Sequence, residues 1–306
     1  MTLSIIHRLK LITLSGLILC SVSILSSEEE KLKFSTTEVA PGLYMLMGVG
    51  GFTGGNIGLS VGEDGVVMID DSMPPMLDIM KTAIATVTDK PVDFLINTHL
   101  HGDHIGNNEA MGKSGTWIVA HKSLRLHLLD KGFPTAKGNV PAPKDALPMI
   151  TFSESMDFHL NGYDAHIFHV ANAHTNGDLV IFYKAPNVVH MGDVMFHGLF
   201  PYIDVDNGGS VDGYIAAQQQ VLALINDKTK IIPGHGPLTN KTDLQTANAM
   251  IIDSRNLIAA LMKSGKTEDQ IVELNPLAKY HDDWNWSFIT TERMTRQVYK
   301  SLIKGK

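Results

Sequence analysis

The stretch Thr98-His99-Leu100-His101-Gly102-Asp103-His104 places four side chains that can bind a metal within six residues. Imidazole nitrogen and carboxylate oxygen are donors that zinc and similar divalent metals accept. Residues 91–97, which come directly before, have the apolar run of a short buried strand. The four side chains therefore lie on a loop that leaves a strand, where α/β proteins place their chemistry. The stretch predicts a metal site.

Four other side chains follow predicted strands in the same way: Asp70, His174, Asp193 and His235. Each is a weak signal alone, because a strand-end acid often caps a turn and a single histidine is usually packed in the core. Their order along the chain and their shared position at strand ends indicate one composite site. Asp70 is expected to orient a histidine or a loop rather than to bind a metal.

These residues together resemble the motif of the metallo-β-lactamase fold superfamily, from roughly residue 37 to residue 240. The resemblance implies an α/β fold, specifically an αβ/βα four-layer sandwich in a single domain, with the site in the cleft between two sheets. It also implies a cofactor of two zinc ions per chain. By this resemblance the ligands of the first zinc would be His99, His101 and His174, those of the second would be Asp103, His104 and His235, and Asp193 would bridge the two.

This ligand set predicts a zinc-dependent hydrolase that acts on a small molecule. Two divalent ions about 4 Å apart can share a water and lower its pKa, so that hydroxide forms near neutral pH. The metal-bridging hydroxide would attack the carbonyl of a β-lactam, lactone, ester or thioester. Asp103 is the expected catalytic residue, because it can hold or accept the proton of the attacking water.

Two other classes of function stay open. A mononuclear iron enzyme like the persulfide dioxygenases of the superfamily would use a subset of the same ligands. Asp103, His104 and His235 argue against it, because they keep the second metal site complete. A metal-dependent binding protein without activity is the third hypothesis. Among the hydrolases, the β-lactamases with a thiolate ligand have a cysteine at the position of Asp193, so this chain differs from them. It also differs from glyoxalase II, because its C-terminal region lacks the basic cluster that would bind glutathione.

Residues 1–26 have the layout of a secretory signal peptide. His7, Arg8 and Lys10 precede an uncharged apolar run over residues 11–25, and acidic residues follow. An uncleaved anchor is the alternative, and the hydrolase domain would occupy residues 27–306. We therefore expect an exported protein, periplasmic or secreted. Cleavage would remove Cys20, the only cysteine, so the mature chain would offer no thiolate ligand.

The composition of the 306 residues excludes some partners. The net charge is −7 and the chain has no basic run, so we expect no nucleic acid partner. Beyond the possible anchor we expect no membrane partner, and the oligomeric state cannot be predicted from the sequence.

Alternation and amphipathic spacing predict one layered domain with two sheets covered by helices. The predicted strands cover residues 43–47, 56–61, 66–70, 91–97, 117–120, 165–170, 179–183, 188–191 and 230–232, and the predicted helices cover residues 76–87, 121–129, 211–225, 242–262 and 287–302. The Gly- and Pro-rich residues 131–148 are expected to form a long surface loop, a candidate lid. Glycine-rich residues 48–55 are expected to form a hairpin tip over the site.

We also predict residues that line the substrate cleft, because they lie near Asp193 in the sequence. They are His190, His197, Phe200 and Tyr202.

Overall fold

The computed structural model describes residues 31–305, which form two mixed β-sheets flanked by helices. The predicted signal peptide, residues 1–26, lies outside the described residues, so that prediction and the domain boundary at residue 27 stay predictions. Within residues 31–305, no helix is both long enough and apolar enough to cross a membrane.

The first sheet contains seven strands in chain order. They are β1 (Lys33–Ala40), β2 (Leu43–Val49), β3 (Ile57–Gly62), β4 (Gly65–Ile69), β5 (Phe94–Asn97), β6 (Trp117–His121) and β7 (Ile150–Phe152). The strands from β1 to β4 pair antiparallel, and those from β4 to β7 pair parallel. Its helices are α1 (Leu77–Ala85), α2 (Gly102–Ile105), α3 (Asn108–Lys113) and α4 (Lys122–Lys131). The parallel strands β4, β5 and β6 therefore end at one edge of the sheet.

The second sheet contains six strands in the order β13-β12-β11-β10-β9-β8. They are β8 (Ser155–Leu160), β9 (Tyr163–Val170), β10 (Asp178–Tyr183), β11 (Val188–His190), β12 (Lys230–Ile232) and β13 (Thr239–Asn240). Only β11 and β12 pair parallel. The later helices are α5 (Val211–Leu224), α6 (Lys241–Lys263), α7 (Glu268–Leu274), α8 (His281–Trp284) and α9 (Thr291–Lys304).

The central strands are apolar throughout because both of their faces are covered. On β4, Val67 and Ile69 join the apolar cluster between the two sheets, whereas Val66 and Met68 pack in the cluster that contains α1. Successive residues of a strand point to opposite faces, which produces this division. Strand β10 alternates in the same way, with its other face packed in the cluster that contains α5, α6 and α9. The predicted four-layer αβ/βα sandwich is confirmed.

Residues 131–148 form a long, largely exposed loop, as predicted; within it Phe133 pairs with Val140, and Leu147 packs with residues of α4. One helix differs from the sequence prediction. The helix predicted from residue 287 begins at Thr291, where the side chain of Thr290 caps the first turn. Residues 286–288 are thereby left free of the helix and face a cavity.

Candidate metal centre

Every predicted ligand follows the end of a strand. The loop after β5 carries the first four, and α2 begins within it at Gly102. His174 lies between β9 and β10, Asp193 lies in a 3₁₀ turn after β11, and His235 follows β12. Four of the side chains thus come from the first sheet and three from the second, so the site lies where the ends of both sheets meet.

The structure brings all seven side chains into two groups. The first group is His99, His101, His174 and Asp193, and the second is Asp103, His104 and His235. Within each group, one donor atom per residue lies within 4.8 Å of the donor atoms of the others. Asp193 contacts both groups, because its Oδ2 lies 3.3 Å from His174 Nε2 and its Oδ1 lies 3.0 Å from His104 Nε2.

Hydrogen-bond partners behind the first group determine which ring nitrogens carry protons. His174 Nδ1 lies 2.6 Å from the carbonyl oxygen of Tyr202, so it must donate. His101 Nε2 lies 2.8 Å from Asp204 Oδ2 and donates for the same reason. Each neutral ring therefore presents a bare lone pair on its other nitrogen, and these two nitrogens are 2.7 Å apart.

His99 completes this set through a short chain of hydrogen bonds. Thr98 Oγ1 donates to Asp70 Oδ2 at 2.7 Å, so it must accept the proton of His99 Nδ1 at 3.0 Å. The free nitrogen of His99, Nε2, then lies 3.1 Å from His101 Nδ1. Three lone pairs converge with no proton between them, which is the arrangement that a divalent cation requires.

The second group shows the same fit. His104 Nδ1 lies 2.8 Å from Asp70 Oδ2 and donates to it, so His104 Nε2 is left as an acceptor. That nitrogen faces Asp193 Oδ1, which is buried and has no hydrogen-bond partner among the described residues. With the ring neutral, two acceptors would face each other at 3.0 Å, and either a proton on Nε2 or a metal cation in its place satisfies both.

Charges within the cluster keep the carboxylates ionised. Burial alone would raise the pKa of Asp193, but His104 and His235 outweigh it and hold the pKa well below the usual range. Burial alone would also raise the pKa of Asp103, but the same two histidines lower it. In the first group, burial lowers the pKa of His99 and brings the pKa of His174 to about 4. These are the protonation states that metal ligands need.

The carboxylates favour positive charge in the second group. Burial would lower the pKa of His235, but Asp193 and Asp103 raise it to about 9. The pKa of His104 is raised as well, by Asp193, Asp103 and Asp70 against the effect of burial. Positive charge is therefore favoured at this point of the site, as protons on the rings or as a metal cation that would displace them.

Asp70 holds the site from behind, as the sequence analysis expects. Its carboxylate is fully buried and accepts hydrogen bonds from Thr98 N, Thr98 Oγ1 and His104 Nδ1. Its backbone has a φ of 60°, which is uncommon for a residue with a Cβ. The three hydrogen bonds stabilise this conformation, so one carboxylate positions side chains of both groups.

Sequence reasoning missed three residues that support the site. Asp204 binds His101, and the hydroxyl of Tyr214 donates to the backbone oxygen of Asp193 at 3.0 Å. Asn56 Nδ2 donates to Pro233 O at 2.9 Å and to Gly236 O at 2.8 Å, on both sides of His235. None of the three belongs to a recognisable motif, and only the fold shows what they contact.

A cavity of about 740 Å³ opens onto both groups. The loop over residues 48–54 and the segment over residues 286–288 contribute to its lining, so the glycine-rich hairpin tip lies over the site as predicted. Tyr202 lines the cavity, but His190 and Phe200 are fully buried and, like His197, lie outside the lining. Among the described residues, none from the predicted lid at residues 131–148 lines this cavity.

Residues 50–235 match the model of the metallo-β-lactamase superfamily, and the chain belongs to that family. Members of the superfamily are mostly hydrolases that act on small molecules. The sequence and the site thus confirm the predicted family, with a histidine and aspartate cluster that could bind metal.

Solved structures share this fold at low sequence identity. A metallo-β-lactamase from Pontibacter korlensis is 16% identical, with a TM-score of 0.61 over 72% of this chain and 100% of that one. The inverting sec-alkylsulfatase Pisa1 from Pseudomonas sp. is 16% identical, with a TM-score of 0.67 over 87% of this chain and 50% of that one. DIM-1 metallo-β-lactamase is 14% identical, with a TM-score of 0.57 over 72% and 99%. No curated protein matches the sequence closely. These likenesses show the fold alone.

Proposed function

We propose that the protein is an exported hydrolase that uses two zinc ions to cleave a carbonyl substrate, such as a β-lactam, lactone, ester or thioester. The observation that carries this proposal is the pair of donor groups joined by Asp193, each with its donor atoms within 4.8 Å of one another. Export rests on the sequence of residues 1–26 alone.

The residues would divide between the ions as the two groups do. The first ion would be held by His99, His101 and His174, the second by Asp103, His104 and His235, and Asp193 would contact both. When bound, the zinc ions would supply Lewis acidity toward a substrate oxygen and lower the pKa of a water.

Asp103 is the residue that we assign to proton handling. It lines the cavity, and its side chain keeps 25% of its surface exposed, whereas His104 is fully buried. Its lowered pKa means that it is ionised at neutral pH and accepts hydrogen bonds. It can therefore accept a hydrogen bond from a water in the cavity and orient it, and its place at the cavity is the reason that we assign the proton of that water to it.

The iron alternative is disfavoured by the completeness of the second group. A mononuclear enzyme needs only the first group, and it would not require His104 Nε2 to lie 3.0 Å from the buried Oδ1 of Asp193. Two complete groups therefore support the dinuclear hydrolase.

The test combines metal analysis of the purified mature protein with turnover of a substrate panel. We would measure zinc and iron per chain, and then the hydrolysis of a β-lactam, a lactone, an ester, a thioester and, because of the sulfatase neighbour, a secondary alkyl sulfate. About two zinc ions per chain and carbonyl hydrolysis that chelation abolishes would support the proposal. One iron per chain without hydrolysis would overturn it.

A further inference from the structure

The cavity over the metal centre is walled by apolar side chains. Seven of them come from three separate segments of the chain: Met47, Phe52, Phe196, Leu199, Tyr202, Trp286 and Phe288. Among the described residues, no lysine or arginine belongs to this lining. Away from the metal centre, an anionic substrate group would lose hydration in this cavity and find no cationic partner.

Two of these aromatic rings are exposed. Phe52 has 55% of its surface exposed and Phe288 has 45%. Both border the cavity, so a ligand bound there could cover them. Phe52 lies on the loop between β2 and β3 and stacks on His235, with ring centroids 5.9 Å apart. Exposed aromatic side chains next to a concave site are typical of ligand-binding surfaces.

The opposite wall is built by the segment between α8 and α9. Trp286 Nε1 donates to Phe200 O at 2.9 Å, which fixes the indole ring. Phe288 packs edge-on against Trp286 at 5.5 Å and against Tyr202 at 5.7 Å. This segment lies beyond residue 235, where the match to the family model ends, so it is a part of the site that the family motif does not describe.

Arg293 lies close to this wall but is engaged elsewhere. Its guanidinium packs over the ring of Phe288 at 4.0 Å and donates from Nη1 to Phe288 O at 2.9 Å. It lines a separate depression on the surface and is not part of the cavity lining. The arginine therefore braces the aromatic wall rather than presenting a charge to the substrate.

We propose that the substrate is an uncharged carbonyl compound with a large apolar group, and that Phe52, Trp286 and Phe288 bind this group and set the chain-length preference. The inference rests on the proposed hydrolase function and names its substrate class. The apolar group packs between the loop over residues 48–54 and the segment over residues 286–288, while the carbonyl lies toward Asp103 and Asp193.

The first experiment compares three 4-nitrophenyl esters on the zinc-loaded protein. They are the acetate, the octanoate, and the monoester of octanedioic acid, which has the octanoate chain length but ends in a carboxylate. Each buried methylene raises the binding affinity roughly fourfold. We therefore expect kcat/KM for the octanoate to exceed that for the acetate at least about tenfold. The octanedioate monoester should fall about tenfold or more below the octanoate.

The second experiment removes parts of the wall. Phe52→Ala and Phe288→Ala should raise KM for the octanoate several-fold and reduce the ratio of kcat/KM between the octanoate and the acetate, because the removed ring would pack on the longer chain. Trp117→Ala is the matched control: it removes an aromatic ring that is 49% exposed on β6, outside the cavity lining. It should change neither ester.

A binding measurement makes the inference independent of turnover. Calorimetry would compare octanamide with acetamide on the zinc-loaded protein and on the Phe288→Ala variant. Tighter binding of octanamide that weakens in the variant supports the inference, even if the esters are poor substrates.

Equal kcat/KM for the three esters, or equal binding of the two amides, would overturn the inference. A preference for the octanedioate monoester that disappears in Arg293→Met would also overturn it, because the arginine would then bind an anion. If the acetate is hydrolysed in a zinc-dependent manner without chain-length preference, the substrate inference fails and the hydrolase function stands. If no substrate of either panel is cleaved and no metal binds, the hydrolase proposal fails.

Discussion

At the scale of single residues, the site depends on the groups that hold each imidazole from behind. Asp204, the carbonyl of Tyr202 and the Thr98–Asp70 pair each leave one ring nitrogen of a histidine free to bind a cation. Such partners fix the tautomer and the ring orientation and raise the basicity of the ligand. They are therefore as important for metal affinity as the ligands themselves.

We predict that Asp204→Asn weakens the binding of the first zinc roughly tenfold, because a neutral amide stabilises His101 less than a carboxylate does. The measurement is zinc retention against a competing chelator. Asp206→Asn is the control, since that carboxylate is exposed and pairs with Lys300 and Lys304 on the surface. Equal zinc affinity in the two variants would show that Asp204 does not support the site.

Asp103→Ala should nearly abolish turnover and leave the unfolding temperature of the metal-free protein within a few degrees of the parent. The side chain is partly exposed at the cavity, but it supplies a ligand and the proposed proton acceptor. Kinetics and thermal unfolding would be measured on the same preparation. An active variant would contradict the dinuclear mechanism.

At the scale of secondary-structure elements, close packing between loops aligns the two groups. The glycine-rich loop after β2 is tied to the ligand loops, because Gly55 N donates to Asp103 O and Asn56 N donates to Gly234 O. A Cβ added at Gly55 would lie 2.1 Å from Cε1 of His104, whose ring is held by Asp70 and cannot retreat. Glycine at this position is therefore a requirement of the second metal group.

Gly55→Ala is expected to lower zinc content from two ions toward one and to destabilise the fold by about 1–3 kcal/mol, as overpacking of a rigid interior does. Elemental analysis and denaturant unfolding would measure the two effects. Gly305→Ala is the matched control, because an added Cβ there meets nothing closer than 3.6 Å. Full zinc content in Gly55→Ala would show that the His104 ring can move.

At the scale of the whole molecule, the two sheets contact each other through titratable groups beyond the metal centre. His121 at the end of β6 stacks on His169 of β9, with centroids 4.0 Å apart and planes within 6° of parallel. Burial, with the neighbouring His169 ring, lowers the pKa of His121 to about 4. The unfolded chain would titrate this histidine near its ordinary pKa of about 6.5.

Stability should therefore fall as the pH drops from about 6.5 toward 4, because in that window the unfolded state binds a proton that the folded state does not. His121→Gln should remove up to about 3 kcal/mol of this loss, measured as the free energy of unfolding at several pH values. His159→Gln is the control: that histidine is exposed, and its hydrogen bond to Asp164 raises its pKa, so its removal should not flatten the profile. Identical pH profiles for His121→Gln and the parent would contradict the prediction.

The sequence alone was enough to predict the family, the layered fold and the residues that meet at the site. The strands and the candidate ligands are recognisable from local sequence, since apolar runs mark strands such as β4 and β5, and three histidines with an aspartate directly after β5 are the donor set of a metal site. Edge strands were harder to predict: β1 and β8 were not identified, because each has one exposed or half-exposed face and weak apolar patterning.

Only the tertiary structure decided how these residues are supported and what covers them. Asp204 reaches His101 across about a hundred positions of sequence, and Asn56 reaches the loop of His235 across a still longer separation. The aromatic wall likewise combines Phe52 with Trp286 and Phe288, from opposite ends of the domain. Such contacts follow from how the sheets and helices pack, and no local pattern encodes them, so the cluster of candidate metal ligands was predictable from sequence and the cavity over it was not.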